Sequence, residues 1–255
     1  MEELLRQPPE FDPPLMNAAG SLGFAPDLRL PLKWDLFGAF VTNPISIKPR
    51  KPAASHRWQS FPGGALIHSG FPNPGFRQAV ERYAAGWAQL PVPVIVHFLA
   101  DTPEELHRRI EHLETLENIR AVEIGFPDEI SPDEAHEVIS ACVGELAVIA
   151  RVPFARAGEI AGICLEAGAV LISIAPPRGA LPAGEGIQSG RMGGPAVFPL
   201  ALQVVRQLAA AGIPVIGSGG VYHPDQADAM RQAGAQAVQL DLALWRGDWF
   251  REEQS

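Results

Sequence analysis

The chain has 255 residues, with 29 acidic against 20 basic side chains and a formal net charge of −9. That balance excludes nonspecific nucleic-acid binding. No apolar run approaches the roughly 20 residues that cross a bilayer, and the acidic start Met1-Glu-Glu-Leu-Leu-Arg6 lacks the basic and apolar regions of a secretion signal. A cytoplasmic protein without nucleic-acid or membrane partners is therefore expected. The two isolated cysteines, Cys142 and Cys164, read as buried thiols in a reducing compartment.

In chain order, Leu15-Met-Asn-Ala-Ala-Gly20 reads as a short apolar strand and Gly38-Ala-Phe-Val-Thr-Asn43 as a second, stopped by Pro44. The irregular stretch from Ile45 to Gly75 carries Lys48, Arg50, Lys51 and Arg57, read as a solvated basic group, and Ala65-Leu-Ile-His68, read as one arm of a hairpin. Phe76 to Leu90 has helical spacing, and Val92 to Leu99 is a third strand. Thr102-Pro-Glu-Glu and Ser131-Pro-Asp-Glu each open a helix, with a hydroxyl at the N-cap, proline at N1 and acids in the first turn. Between them lies a fourth strand, Ala121 to Phe126. Strands at Leu146–Val152 and Val170–Ala175 follow, each with a helix beyond it. A glycine-rich loop is expected from Gly179 to Gly194, bracketed by Arg178 and Arg191, which are candidates for an anion.

The run Ile213-Pro-Val-Ile-Gly-Ser-Gly-Gly-Val221 is a buried strand ending in glycines. Those glycines serve either a tight turn or an anion cradle of bare amides. Ala237 to Ala243 is the last strand, and Trp245 and Trp249 are expected to pack a last helix against the barrel foot. Eight strands, mostly alternating with helices, and a length close to the about 250 residues typical of the fold predict a single-domain α/β (β/α)₈ TIM barrel over residues 1–255.

Several stretches in this order resemble the dihydroorotate dehydrogenase family: Pro14-Leu-Met-Asn-Ala-Ala-Gly20, Gly38-Ala-Phe-Val-Thr42, Gly70-Phe-Pro-Asn-Pro-Gly75, Gly193-Gly-Pro-Ala196, Ile216-Gly-Ser-Gly-Gly-Val221 and Gly234-Ala-Gln-Ala-Val-Gln239. The resemblance implies a flavoprotein oxidoreductase with FMN over the carboxyl ends of the strands. It implies a phosphate held by amides at Ser218, Gly219 and Gly220 and in the turn after the last strand, at Leu242 and Ala243. Gly193 and Gly194 belong to the same cofactor-binding set, and Ala19 and Gly20 to the isoalloxazine side. It also implies a dimer, either a homodimer or a heterodimer with an active paralogue.

The resemblance also shows where this chain departs. Asn43 stands where the family has lysine, and Phe126 where it has its cysteine or serine base. Glu123 and Asp128 replace asparagines beside that base, Ile67 replaces the asparagine near the hairpin, and Arg151 replaces the lysine of the fifth strand. The sixth strand ends in Ala175-Pro-Pro177, and Asp241 replaces the glycine of the second phosphate turn, where a carboxylate repels phosphate. Without the base, efficient oxidation of dihydroorotate is not expected.

The strand ends carry a different polar set: His68, His97, Glu123, Arg151 and Asp241. Glu123 and Arg151 are the candidate catalytic pair; the alternative is a buried ion pair filling the barrel mouth. No His-x-x-x-His spacing occurs, so no metal site is assigned. Three functions follow: a dihydroorotate dehydrogenase-like oxidoreductase of changed substrate, a non-redox barrel for a small phosphorylated or carboxylated anion, or a non-catalytic partner subunit.

Overall fold

Apolar runs bounded by proline and glycine become the strands of a computed structural model that describes residues 8–26, 33–54, 58–184 and 186–246. The elements are β1 (Leu15–Asn17), β2 (Phe40–Val41), β3 (Trp58–Phe61), β4 (Gly64–Ile67), α1 (Phe76–Ala88), β5 (Val94–Leu99), α2 (Pro103–Glu114) and β6 (Ile119–Gly125). There follow α3 (Pro132–Cys142), β7 (Ala147–Val152), α4 (Ala157–Glu166), β8 (Leu171–Ile174), β9 (Arg178–Ala183) and β10 (Gly186–Gly193). The last are α5 (Phe198–Ala210), β11 (Val215–Ser218), α6 (Pro224–Gln232), β12 (Ala237–Leu240) and α7 (Ala243–Arg246).

Eight strands lie parallel in the order β1-β12-β11-β8-β7-β6-β5-β2. A parallel bridge from Met16 to Ala39 brings the two ends together, so the sheet closes into the expected barrel. That seam is thin, because β2 has only two residues. The side chain of Asn17 reinforces it: Nδ2 donates to Val41 O at 2.7 Å and Oδ1 accepts from Val41 N at 2.8 Å.

Alternation along the strands sorts side chains to two sides. Ile95, Ala121, Ile149, Leu171, Ile216 and Ala237 point inward and fill the barrel with a small apolar cluster. Their neighbours Val96, Val122, Ala150, Ile172, Val215 and Val238 join the large cluster beneath the helices. Burying each large aliphatic side chain contributes about 1.5–3 kcal/mol, so both layers hold the barrel together. Cys142 and Cys164 are buried in the outer layer as expected, and burial pushes both thiols up to about 12, which leaves them inert as nucleophiles.

The two helix openings differ. Ser131 Oγ accepts from Glu134 N at 3.2 Å while the Glu134 carboxylate accepts from Ser131 N at 2.9 Å, a complete capping box. Thr102 occupies its N-cap position but makes no side-chain cap, and its own N–H donates to Asp101 instead.

The segment Gly179–Gly194 is not the loop expected from its glycines. β9 and β10 form an antiparallel hairpin, and β10 also pairs with β4, completing a second sheet of order β3-β4-β10-β9. Both hairpins leave carboxyl ends of barrel strands, after β2 and after β8, so this sheet borders the barrel mouth. The expected hairpin arm at Ala65–His68 is β4, which ends at Ile67. Trp245 lies at the mouth rather than the foot. Its ring packs tilted against Trp58, with centroids 6.2 Å apart, and its indole N–H donates to Ser21 O at 2.5 Å. Trp249 and Arg57 lie outside the described residues.

Candidate functional site

Two residues beyond the inward apolar layer, each central strand places another inward side chain: His97 on β5, Glu123 on β6, Arg151 on β7, Ser173 on β8, Ser218 on β11 and Gln239 on β12. All are buried. This polar layer forms the floor of the mouth, where barrel side chains from different strands converge. Glu123 is its hub and is fully buried. One carboxylate oxygen meets His97 Nδ1 at 2.5 Å and Arg151 Nη1 at 3.4 Å. The other accepts from Ser173 Oγ at 2.5 Å and Gln239 Nε2 at 2.9 Å. His97 sits opposite Glu123 in register, whereas Arg151 sits opposite Gly125, one step higher on the tilted sheet.

Burial pushes the Glu123 carboxyl up, but Arg151 and the bonds from His97 and Ser173 outweigh it and hold the group well below the ordinary carboxylate range. Burial pushes His97 down, and Arg151 and Arg191 add to this against the pull of Glu123, so the imidazole is favoured neutral. An ionised Glu123 only accepts, so the His97 proton sits on Nδ1 and Nε2 keeps a lone pair. That nitrogen points past Gly125, where a Cβ would stand 2.7 Å from it. Glycine at 125 keeps this face of the ring open.

Both shifts make the folded state bind fewer protons than the unfolded chain, so acid destabilises the protein. His97 begins to cost stability as pH falls below its ordinary value of 6.5, and Glu123 as pH falls below 4.5. Urea midpoints are expected to drop on going from about pH 7.5 to about pH 4, and His97→Asn is expected to flatten only the upper part of that window. An unchanged slope in that variant would place the titration elsewhere.

Two adjoining cavities open above the floor and share Ala19, Pro44, Phe71, Arg151, Pro176 and Arg191. The larger, about 350 Å³, is lined by His97, Gly125, Phe126, Arg50, Arg151, Arg178 and Arg191 among others. Arg178 is paired with Asp128 at 3.2 Å. Arg191 lies over the Phe71 ring, 3.8 Å from its centroid, and Nη2 reaches Ser69 Oγ at 3.5 Å. Burial, with Arg151 and Arg178 nearby, brings its guanidinium down to about 10. The second cavity, about 230 Å³, is lined by Ala19, Gly20, Asn43, Met192, Gly193, Ser218, Asp241, Leu242 and Trp245 among others.

This barrel, with an antiparallel sheet bordering its mouth, has relatives in sequence. A catalytic subunit of dihydroorotate dehydrogenase B (NAD(+)) from Pyrococcus abyssi is 31% identical over 265 residues, covering 95% of this chain and 88% of that one. The chain belongs to the dihydroorotate dehydrogenase family. The family's sequence model matches residues 159–253. The corresponding subunit from Geotalea uraniireducens is 29% identical over 256 residues, covering 90% of this chain and 83% of that one. In structure, a dihydroorotate dehydrogenase from Eimeria tenella in complex with ferulenol superposes with a TM-score of 0.70 at 15% identity, over 92% of this chain and 77% of that one, a likeness of fold.

Within this dihydroorotate dehydrogenase fold, the expected site residues separate. Arg151 lines both cavities, but Glu123 lines neither and reaches the mouth through its partners His97 and Arg151. His68 lines neither cavity, while Phe126 stands in the wall of the larger one. Arg50, read as part of a solvated group, borders the mouth, whereas Lys48 and Lys51 stay off it. Ser173 and Gln239 were not singled out from the sequence. The only signal was a polar residue two places after an inward aliphatic or alanine in Leu171-Ile-Ser173 and Ala237-Val-Gln239.

The family's FMN meets a mixed site. Of the residues that the resemblance assigns to it, Ala19, Gly20, Gly193, Ser218 and Leu242 line the smaller cavity, while Gly194, Gly219, Gly220 and Ala243 do not. A ring has a wall of small and apolar groups there. The phosphate does not fit, because Asp241 Oδ1 already accepts from Leu242 N at 2.6 Å and the carboxylate is also bonded by the Gly220 amide. Burial pushes this carboxyl up, against those amides and Arg151.

Proposed function

We propose that this chain is a dihydroorotate dehydrogenase-like oxidoreductase of changed substrate, which takes a small carboxylated metabolite at the arginine-lined mouth and does not oxidise dihydroorotate efficiently. The observation that carries this reading is Arg191. It is a desolvated cation whose contacts are an aromatic face and a serine hydroxyl, and among the described residues no carboxylate lies within ion-pair distance of it. Arg191 is partly buried, and Asp128, the nearest opposing charge acting on it, is itself paired with Arg178, so the guanidinium is left to match a ligand carboxylate with two parallel hydrogen bonds.

In this reading Arg191 orients the substrate carboxylate and His97 moves the proton. The neutral Nε2 accepts it, and Glu123, held ionised below, stabilises the imidazolium that forms. His97 thus stands in for the base that Phe126 cannot supply. FMN in this family supplies hydride acceptance when bound, and because Asp241 conflicts with its phosphate no step here is assigned to it. The same Arg191 and His97 arrangement suits proton transfer without redox change, and the filled phosphate position favours that second reading. The named relatives are catalytic subunits, which supports assembly with a second subunit, as a homodimer or with a paralogue.

Thermal-shift titration with succinate, fumarate, orotate and dihydroorotate tests this. At least one carboxylate is expected to stabilise the protein, and Arg191→Gln to weaken its binding by about 10–150-fold, as loss of a charged hydrogen bond of about 1.5–3 kcal/mol requires. Dihydroorotate oxidation is expected to be about 10²–10⁴-fold slower than in an enzyme with the base in place. Protein indifferent to all four carboxylates, or equal binding by the variant, would overturn the assignment.

A further inference from the structure

We infer that the Asp241 carboxyl group fills the amide cradle beyond β12, so that the adjoining cavity selects a planar ligand with an uncharged, hydroxylated tail over its phosphorylated counterpart. Three observations meet here. The carboxylate takes the amide protons of Leu242 and Gly220, the donors a phosphate would need. The cradle wall cannot widen at Gly220, where an added Cβ would stand 2.4 Å from Phe198 N and 2.9 Å from Gly194 O, so backbone already packs closely behind it. Asp241 nevertheless faces the cavity of about 230 Å³, between Ser218 and Leu242, with Ala19, Gly20 and Met192 along its walls.

The carboxylate oxygens have acceptor capacity beyond these amides, and hydroxyl donors on a ligand's tail complement it where a dianionic phosphate repels it. Arg151 draws on the Asp241 carboxyl, but both cations of this cavity have partners elsewhere. Arg151 is bonded to Glu123 and Gln239 on the floor, and Arg191 lies over Phe71 and contacts Ser69. The inference does not rest on the carboxylate reading above, which concerns Arg191 and His97 rather than Asp241. Failure of either leaves the other standing.

The test titrates the purified full chain with riboflavin and with FMN, following flavin fluorescence, in the unaltered protein, Asp241→Gly and Asp241→Asn. The unaltered protein is expected to bind riboflavin at least about tenfold more tightly than FMN, and Asp241→Gly to reverse that preference. Asp241→Asn keeps the shape and removes the charge, so it is expected to gain FMN affinity even where the glycine variant fails to fold, which thermal unfolding reports. If the unaltered protein binds neither flavin, a gain of FMN binding in a folded variant supports the inference. Its absence in both variants overturns it. FMN binding by the unaltered protein as tight as riboflavin binding, or FMN identified by mass in the purified protein, also overturns it.

Discussion

Replacing Glu123 by alanine is expected to lower the unfolding free energy by about 3–5 kcal/mol, the cost of breaking a buried ion pair by removing one partner. The residue is fully buried and accepts from four side chains on four other strands: His97, Arg151, Ser173 and Gln239. Alanine would leave the Arg151 guanidinium buried beneath the mouth without its carboxylate. The double change Glu123→Leu with Arg151→Met is expected to recover most of the loss, because an apolar pair of similar volume has no desolvation penalty to offset. Urea unfolding at pH 7 measures both variants. A cost below about 1 kcal/mol for Glu123→Ala would mean that solvent reaches the floor and screens Arg151.

The barrel seam predicts the second large effect. Asn17→Leu is expected to cost about 2–6 kcal/mol, because it orphans both the N–H and the C=O of Val41, each worth about 1–3 kcal/mol when buried unpaired. Leucine keeps the branched shape of asparagine without its polar atoms and leaves no void, so the loss reports hydrogen bonding rather than a cavity. β1 and β2 meet at the single bridge from Met16 to Ala39, which leaves the Asn17 side chain to complete the ladder. Amide exchange at Val41 is expected to speed up by the corresponding factor. Unchanged exchange there would show that the seam closes without it.

The barrel was legible because its signals are local. Apolar runs such as Val94–Leu99, proline at the first helical position of α2 and α3, and glycine just beyond α4, α5 and α6 depend on neighbours only a few residues away. The second sheet was not legible, since Gln59 bonds across to Pro182, 123 positions later, and the glycines of Gly179–Gly194 look like those of a loop until β4 is beside them. Trp245 was misplaced for a related reason: an aromatic after the last strand suits either end of a barrel, and only its contacts with Trp58 and Ser21 put it at the mouth.

The sequence by itself determined the barrel, the order of its strands along the chain and the family resemblance, and it also singled out Phe126 and Asp241. Tertiary structure alone decided what the polar residues do. Glu123 and Gln239 are 116 positions apart yet 2.9 Å from atom to atom, and barrel closure turns Glu123 from a candidate at the mouth into the buried anchor of His97. Asp241 changed in the same way, from a residue that merely repels phosphate to one bonded by the Leu242 and Gly220 amides. The physical reason is common to both. Strand and helix signals act along the chain, whereas the state of a charged side chain depends on burial and on partners that only the closed barrel brings within reach.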